Sequence, residues 1–145
     1  MSPIAIFAWI YCAMAAHAVW ESSAEGRSAG YHGKHGWRIS VGWFSLTRYH
    51  FWLFAVMYPI LLTLPLAIYG WDIRVLGIIS SAFFSGLIVE DFLWYAVNPV
   101  VKLRELWSPF SDYYSWVRIA GHKVIPAGYV LNLAIAVAIW WFVWR

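Results

Sequence analysis

Two groups of ionisable residues in apolar surroundings carry the chemistry that this sequence could perform. His17 and Glu21 stand four residues apart, and Glu90 and Asp91 are adjacent within the apolar and aromatic stretch LIVEDFLWYAVNP. Residues four apart share one face of a helix. Imidazole and carboxylate groups together suit Zn, Fe or Mn, and a carboxyl group among apolar side chains can also serve as a general acid. These residues predict a metal site or acid–base chemistry, with Glu90, Asp91 and His17 as candidate catalytic groups.

The composition indicates that a membrane-spanning bundle positions these groups. Of the 145 residues, 63% are hydrophobic and 12% are charged, whereas soluble domains carry about 25% charged residues. Four segments are long and apolar enough to cross a bilayer core, which takes about 20 apolar residues. They lie near residues 3–21, 50–70, 75–98 and 125–144. We therefore predict an all-α fold, an integral membrane four-helix transmembrane bundle that forms a single domain over residues 1–145.

The connections between the predicted spans differ strongly in charge. Of the ten Lys and Arg residues, all but Arg74 and Arg145 lie in the segments 22–49 and 99–124. Basic connections tend to stay on the cytoplasmic side of a membrane. We expect both long connections in the cytoplasm of a prokaryote, and both termini outside the inner or plasma membrane. The positive charge then serves orientation and attraction to membrane lipids, and it does not indicate nucleic-acid binding.

The predicted orientation brings ionisable groups of all four helices to the cytoplasmic end of the bundle. A rise of about 1.5 Å per residue places Glu90 roughly 22 Å from the outer face, and His17 at a similar depth. Glu21 follows one turn later. His50 opens the second helix, and His122 precedes the fourth. The predicted metal ligands are His17, Glu21, His50, Glu90 and His122.

Small residues on the third predicted helix favour an inward position for the first acid of the pair. Ala82, Gly86 and Glu90 recur every four residues, and such a stripe lets a neighbouring helix approach closely. The adjacent aspartate points about 100° away, where Tyr95 and Asn98 could hydrogen-bond it.

Simpler roles stay open for two of the acids. Asp91 could pair with a basic residue of a connection, and Glu21 could bond Arg48 at the membrane boundary. Glu25 would extend the stripe of His17 and Glu21 if the first helix continues past the boundary.

The two long connections carry weaker signals. His32 and His35 lie in a Gly- and Ser-rich segment that is more typical of a solvated loop than of a metal site. In the second connection, apolar residues alternate with charged ones after a possible helix start at Ser108 and Pro109. This pattern predicts a helix that lies on the cytoplasmic membrane surface.

Several classes of membrane enzyme have no support in the sequence. The five His residues are too few for a histidine-box desaturase or hydroxylase, and the single cysteine, Cys12, excludes a disulfide within the chain. No H-E-x-x-H, G-x-S-x-G, C-x-x-C or phosphate-binding Gly loop is present. A b-type haem would need two facing histidines, for which His17 and His50 are the candidates.

Three sequence segments resemble those of a group of small prokaryotic four-helix membrane proteins. The segments are HAVWESSAEG with HGW, then LTRYHFWL, then VEDFLWYAVNP. Chains of that group carry W-E…E-G, G-Y-H-F-W and E-D-F-L-W…N-P in this order, over a stretch that corresponds to residues 17–100. Arg48 stands where the group has Gly. The resemblance implies a four-helix membrane fold, but it does not imply an activity.

The acidic pair also resembles the E-E-x-x-F-F element of lycopene-cyclase-type domains. Those domains protonate an isoprenoid inside the bilayer. In this chain Trp94 and Tyr95 stand in place of the two Phe residues. The likeness extends over one short motif and implies acid chemistry on an apolar substrate.

Together these observations predict a membrane enzyme that acts on a lipid or isoprenoid. Two alternatives stay open: a non-catalytic, structural or accessory subunit of a membrane complex, and a b-type haem protein. A subunit needs a strip that faces protein, and Asn132 with Ala136 on the fourth span could form one. The expected partners are membrane lipids, other membrane subunits or a second copy of this chain.

Overall fold

The computed structural model of the protein describes residues 2–28, 36–41 and 44–145, so His32 and His35 lie outside the described residues. Within these described residues, four helices are long and apolar enough to cross a membrane, which confirms the four predicted segments to within about one turn at each end. They are α1 (Pro3–Glu25), α2 (Arg48–Tyr69), α3 (Ile73–Val97) and α4 (Ala127–Trp144).

Helix α1 has defined ends. Ser2 caps its N-terminus, where the side-chain oxygen accepts a hydrogen bond from the backbone N–H of Ala5 at 3.2 Å. Gly26 follows its last turn with a φ of 55°, a left-handed value that glycine adopts without strain. The helix therefore continues beyond its predicted end at residue 21, and Glu25 lies on the same face as His17 and Glu21.

Helix α2 changes its hydrogen-bonding pattern along its length. It is α-helical over Arg48–His50, π-helical over Phe51–Met57, and α-helical again over Tyr58–Tyr69. Pro59 follows the π segment and has no N–H to donate to the preceding turn. Pro59 and Pro65 each lack a backbone donor and predict a kink, and the structure places a widened turn that ends at Met57, two residues before Pro59.

Helix α3 lies at the centre of the bundle, because α1 and α4 both pack on it. A Cβ added to Gly86 would lie 3.0 Å from Met14 Cγ of α1, so the small-residue stripe brings the two helices close together as predicted. On the other side, a Cβ at Gly77 would lie 2.7 Å from Val143 of α4. Ser81 Oγ donates to the Ala136 carbonyl of α4 at 2.8 Å.

The connections contain β-structure, which the all-α prediction lacks. Strand β1 (Arg38–Val41) pairs antiparallel with β2 (Phe44–Thr47), and β3 (Trp116–Ile119) pairs antiparallel with β4 (His122–Pro126). The predicted surface helix in 99–124 is wrong. That connection instead forms two short 3₁₀ helices, Leu103–Trp107 and Pro109–Ser111, before the β3–β4 hairpin.

The β3–β4 hairpin has a local physical cause. Ala120 and Gly121, the two residues of its turn, have φ values of 49° and 83°. Two consecutive positive φ angles are typical of the tight turns that match the twist of hairpin strands. β-branched residues on either side, such as Val117 and Val124, favour strands over a helix. Ser108 nevertheless caps the second 3₁₀ helix, as its predicted helix start suggests.

The ends of α1 and α3 and the starts of α2 and α4 lie together, and we call this part of the bundle the loop end. Asn98, after α3, donates to the Gly26 carbonyl after α1 at 3.0 Å. Arg27 forms two hydrogen bonds to the Glu105 carboxylate, at 3.1 and 2.7 Å. These contacts join the end of α1 to the second long connection.

Candidate functional site

Three buried residues at the loop end converge on one point. His17 and Glu21 of α1 and Glu90 of α3 each offer one ligand atom, and these atoms all lie within 4.8 Å of one another. Only 8%, 4% and 5% of the three residues, respectively, is exposed. The four-residue spacing within α1 brings His17 Nε2 to 3.7 Å from Glu21 Oε2. We call these three residues the His–Glu–Glu cluster.

Helix α2 supplies groups that orient the cluster. Tyr58 O–H lies 2.8 Å from His17 Nδ1, and Tyr49 O–H donates to Glu21 Oε1. His50 Nε2 lies 4.0 Å from the same Glu21 oxygen, while its Nδ1 lies 2.6 Å from the Thr47 hydroxyl. Tyr49, Tyr58 and His50 therefore surround the three central residues.

Two atoms of the cluster have no hydrogen-bond partner among the described residues. They are His17 Nε2 and Glu90 Oε1, and both are buried. A buried polar atom without a partner costs about 1–3 kcal/mol, and more when it belongs to a charged group. When Nδ1–H of His17 donates to the Tyr58 oxygen, the Nε2 lone pair points away from Tyr58 and is available to a metal ion.

Aromatic rings cover the histidines of the site. Phe54 stacks on both imidazole rings, with centroids 5.4 Å from His17 and 5.9 Å from His50.

The Nε2 atoms of His17 and His50 both lie within 4.0 Å of the Glu21 carboxylate. A bis-histidine haem needs two imidazoles that meet the iron from opposite faces of the porphyrin. Two imidazoles directed at one carboxylate favour a His–carboxylate site instead.

Asp91 lies apart from the cluster, although it is adjacent to Glu90 in the sequence. Its two oxygens accept hydrogen bonds from Tyr114 O–H at 2.6 Å and Tyr129 O–H at 2.5 Å. Tyr114 belongs to the second connection and Tyr129 to α4. Asp91 thus joins three parts of the chain, and its predicted catalytic role stays a prediction.

The predicted partners of that aspartate have other contacts. Tyr95 O–H lies 2.6 Å from Tyr113 O–H, and the Asn98 side chain bonds the Gly26 carbonyl and accepts from the backbone N–H of Val101. The prediction that Tyr95 and Asn98 bond Asp91 is therefore wrong. The aspartate points towards tyrosines that follow it by 23 and 38 positions, a distance over which sequence spacing gives no information.

His122 lies in a different environment from the cluster. It is exposed, and it stands beside the β3–β4 turn opposite Ile119. The sequence placed it at the boundary of the fourth span, but β4 separates it from the start of α4. In the part of the chain that the structure describes, the structure does not bring His122 into the His–Glu–Glu cluster.

Tyr49 and Tyr58 are site residues that the sequence analysis missed. Tyr49 is adjacent to His50, a predicted ligand, and Tyr58 directly precedes Pro59. The position of Tyr49 beside a predicted ligand and that of Tyr58 beside a proline were the features of the sequence that could have indicated these two residues. The direction in which the Tyr58 side chain points depends on the π segment, because an extra residue in a turn rotates the part of the helix that follows it.

Comparison of the chain with protein-family models, with curated proteins and with solved structures finds no match. The resemblance to small prokaryotic four-helix membrane proteins stays a prediction. Any proposal of function rests on the chemistry of the site.

Proposed function

We propose that this protein is an integral membrane protein that binds a divalent metal ion through the His–Glu–Glu cluster and acts on a lipid or isoprenoid. The loop end faces the cytoplasm, in accordance with the basic residues of both long connections. The observation that carries the proposal is the convergence of three buried residues whose ligand atoms lie within 4.8 Å of one another. Two buried atoms of these residues, His17 Nε2 and Glu90 Oε1, have no hydrogen-bond partner among the described residues.

A metal ion offsets the main electrostatic cost of this arrangement. Glu21 and Glu90 are two buried carboxyl groups at close range, and charged groups within a membrane span are expensive unless they are paired. The basic residues Arg27 and Lys123 are engaged elsewhere, with Glu105 and Asp112. A divalent cation held by this cluster would supply the missing positive charge, and His17 Nε2 would gain a partner.

The ligand types select the class of ion. One imidazole nitrogen and two carboxylate oxygens, without a thiolate, suit Zn, Fe or Mn. Three protein ligands leave a coordination position open, as in catalytic rather than structural zinc sites. An ion held in this way would polarise a substrate oxygen or activate a bound water molecule.

The surroundings of the cluster suit an amphiphilic substrate. Val19 and Trp20 lie on the turn of α1 that carries His17, and Trp52 follows His50 on α2; all three are more than half exposed. In a bilayer these side chains face lipid, so a lipid or isoprenoid reaches this end of the bundle without crossing a water-filled channel. Exposed Trp residues also fit the interfacial depth assigned to the site.

Metal analysis of the detergent-purified protein tests the proposal. We expect about one Zn, Fe or Mn ion per chain in the wild type and a loss of most of it in Glu90→Gln. This variant keeps the shape of the side chain but removes the carboxylate. Asp91→Asn is the matched control, because it changes the adjacent acid, which lies outside the cluster, and should retain the metal.

Two results would contradict the metal proposal. One is a wild-type protein that remains free of metal after incubation with Zn, Fe(II) and Mn. The other is equal metal content in Glu90→Gln and the wild type. Either result would favour the accessory-subunit interpretation, in which the acids and histidines hold the helices together.

The strip proposed for a partner subunit gains no support from its position. Ala136 is 3% exposed, and its carbonyl accepts from Ser81 of α3, so this part of α4 is covered by the same chain. The rest of α4 exposes apolar side chains such as Val137 and Phe142, which suit lipid tails as well as protein. The accessory-subunit interpretation stays the alternative to the enzyme proposal.

A further inference from the structure

A cleft of about 470 Å³ lies at the loop end, outside the His–Glu–Glu cluster. The two 3₁₀ helices and the β3–β4 hairpin form its walls. Trp107 and Ser108 line one side, and Arg118, His122 and Lys123 line the other. The indole N–H of Trp107 donates to the Val124 carbonyl at 3.2 Å, which holds the two walls together.

Lys123 and Arg118, the two basic residues of the hairpin wall, differ in whether a nearby acid neutralises their charge. Lys123 Nζ lies 2.7 Å from Asp112 Oδ1 and 2.5 Å from the Ser108 carbonyl, and its side chain is 11% exposed. Arg118 is exposed, and the one hydrogen bond of its side chain among the described residues is a long one, 3.5 Å to the Gly121 carbonyl. The guanidinium group therefore keeps most of its donors for a ligand.

The hairpin register brings these cations together. Arg118 and Lys123 are cross-strand partners. Like charges directly opposite each other destabilise a strand pair. Asp112 balances Lys123, whereas an anion in the cleft would balance Arg118. His122 also lines the cleft, and an imidazole ring N–H can donate to an anion.

The surface around the cleft is apolar as well as basic. Trp107, Val117 and Ile119 are 46%, 38% and 64% exposed. Strand β4 ends at Pro126, and α4 begins at Ala127, so the hairpin tip at Gly121 lies within about 20 Å of the start of a span. Exposed apolar side chains mixed with cations in a segment directly before a span are typical of the headgroup layer.

We propose that this cleft binds the phosphate group of an anionic phospholipid from the bilayer that holds the protein. Arg118 donates to the phosphate oxygens, His122 adds a hydrogen bond, and Trp107 contacts the glycerol and upper acyl region. The proposal rests on the membrane insertion proposed above, but it does not depend on a metal ion in the His–Glu–Glu cluster.

Native mass spectrometry of the detergent-solubilised protein, titrated with phosphatidylglycerol or phosphatidylcholine, tests the proposal. We expect preferential binding of phosphatidylglycerol, and an affinity at least about tenfold lower in Arg118→Gln, which corresponds to the loss of about 1.4 kcal/mol. Arg104→Gln is the matched control, since Arg104 is an exposed arginine of the same connection that does not line the cleft. Circular dichroism of each variant shows whether its helices are retained.

Three outcomes would overturn the proposal. Equal binding of both lipids shows that the negative headgroup charge is not recognised. An equal loss in Arg104→Gln and Arg118→Gln shows attraction to the whole basic surface rather than to the cleft. Competition by inorganic phosphate or glycerol 3-phosphate at the same concentration as the lipid indicates a soluble ligand. Metal content measured on the same samples keeps these outcomes separate from a failure of the metal proposal.

Discussion

Glu90 and Asp91 have different surroundings although they are adjacent in the sequence. Adjacent residues of a helix point about 100° apart, so Glu90 faces α1 and Asp91 faces the second connection and α4. Asp91 accepts two phenol hydrogen bonds, whereas Glu90 keeps one oxygen without a partner among the described residues. The two acids therefore have separate surroundings: Glu90 is a candidate ligand, and Asp91 joins α3 to the second connection and to α4.

Replacement of Glu90 by Leu separates a ligand from a structural contact. If Glu90 binds metal, Glu90→Leu should lose the metal while the metal-free protein keeps or gains thermal stability, because a buried polar group has been removed. If the residue serves to hold the helices together, the same change should weaken the bundle by about 1–2 kcal/mol. Thermal unfolding in detergent, measured after chelation, distinguishes the two. A lower midpoint for Glu90→Leu than for the chelated wild type would contradict the ligand role.

Tyr58 should tune metal affinity without binding the metal itself. Tyr58→Phe removes the hydroxyl that lies 2.8 Å from His17 Nδ1. Loss of such an outer partner of a histidine ligand weakens metal binding by about 10–100-fold. Competition with a chelator of known affinity measures the change.

Tyr69→Phe is the control for this experiment. Tyr69 is 89% exposed at the opposite end of α2, so its hydroxyl has no part in the site. Unchanged metal affinity in Tyr58→Phe would show that this hydrogen bond does not orient His17.

At the scale of elements, the spans are predictable and the connections are not. Apolar runs of the required length identify α1 to α4, and the stripe of Ala82 and Gly86 correctly indicates the α1–α3 contact. The β3–β4 hairpin follows from a two-residue turn at Ala120 and Gly121, a signal masked by the amphipathic pattern around it. The tyrosine contacts of Asp91 depend on tertiary packing, which spacing along the chain does not encode.

The ion pair between Arg27 and Glu105 connects α1 to the second connection and predicts a pH dependence. The Arg27 guanidinium donates to the carboxylate and lowers the pKa of Glu105 from its ordinary value of 4.5 to about 2. Because the folded-state pKa is lowered, the stabilisation is complete above about pH 5 and is lost as the pH falls through 4.5 towards 2.

The variant Glu105→Gln tests this dependence. Its thermal midpoint should lie below that of the wild type at pH 7, and the two midpoints should converge as the pH falls from 4.5 towards 2. High salt should reduce the difference at pH 7, since the pair is exposed. A difference that is independent of pH would mean that the carboxylate charge of Glu105 is not what stabilises the contact.

At the scale of the whole molecule, the proposed orientation is open to direct measurement. In a Cys12→Ser background, a cysteine at Asp72, in the short α2–α3 turn, should react with an impermeant thiol reagent added to intact cells. A cysteine at Lys102, in the second connection, should react after the cells are opened. This pattern follows from the excess of basic residues in the long connections. Labelling of the Lys102 position in intact cells would reverse the orientation and place the cluster near the outer surface.

Because α2 contains a π segment, the geometry of the site depends on the number of residues in this helix. A π turn contains about one residue more than an α turn, so Phe51–Met57 amounts to a one-residue insertion in a regular helix. Deletion of one residue there would preserve the hydrophobicity and the span, but it would turn Tyr49 and His50 by about 100° relative to Tyr58. Tyr58 could then contact His17 only while Tyr49 faced away from Glu21. Related chains that keep this site should therefore tolerate substitutions in the π segment far better than deletions.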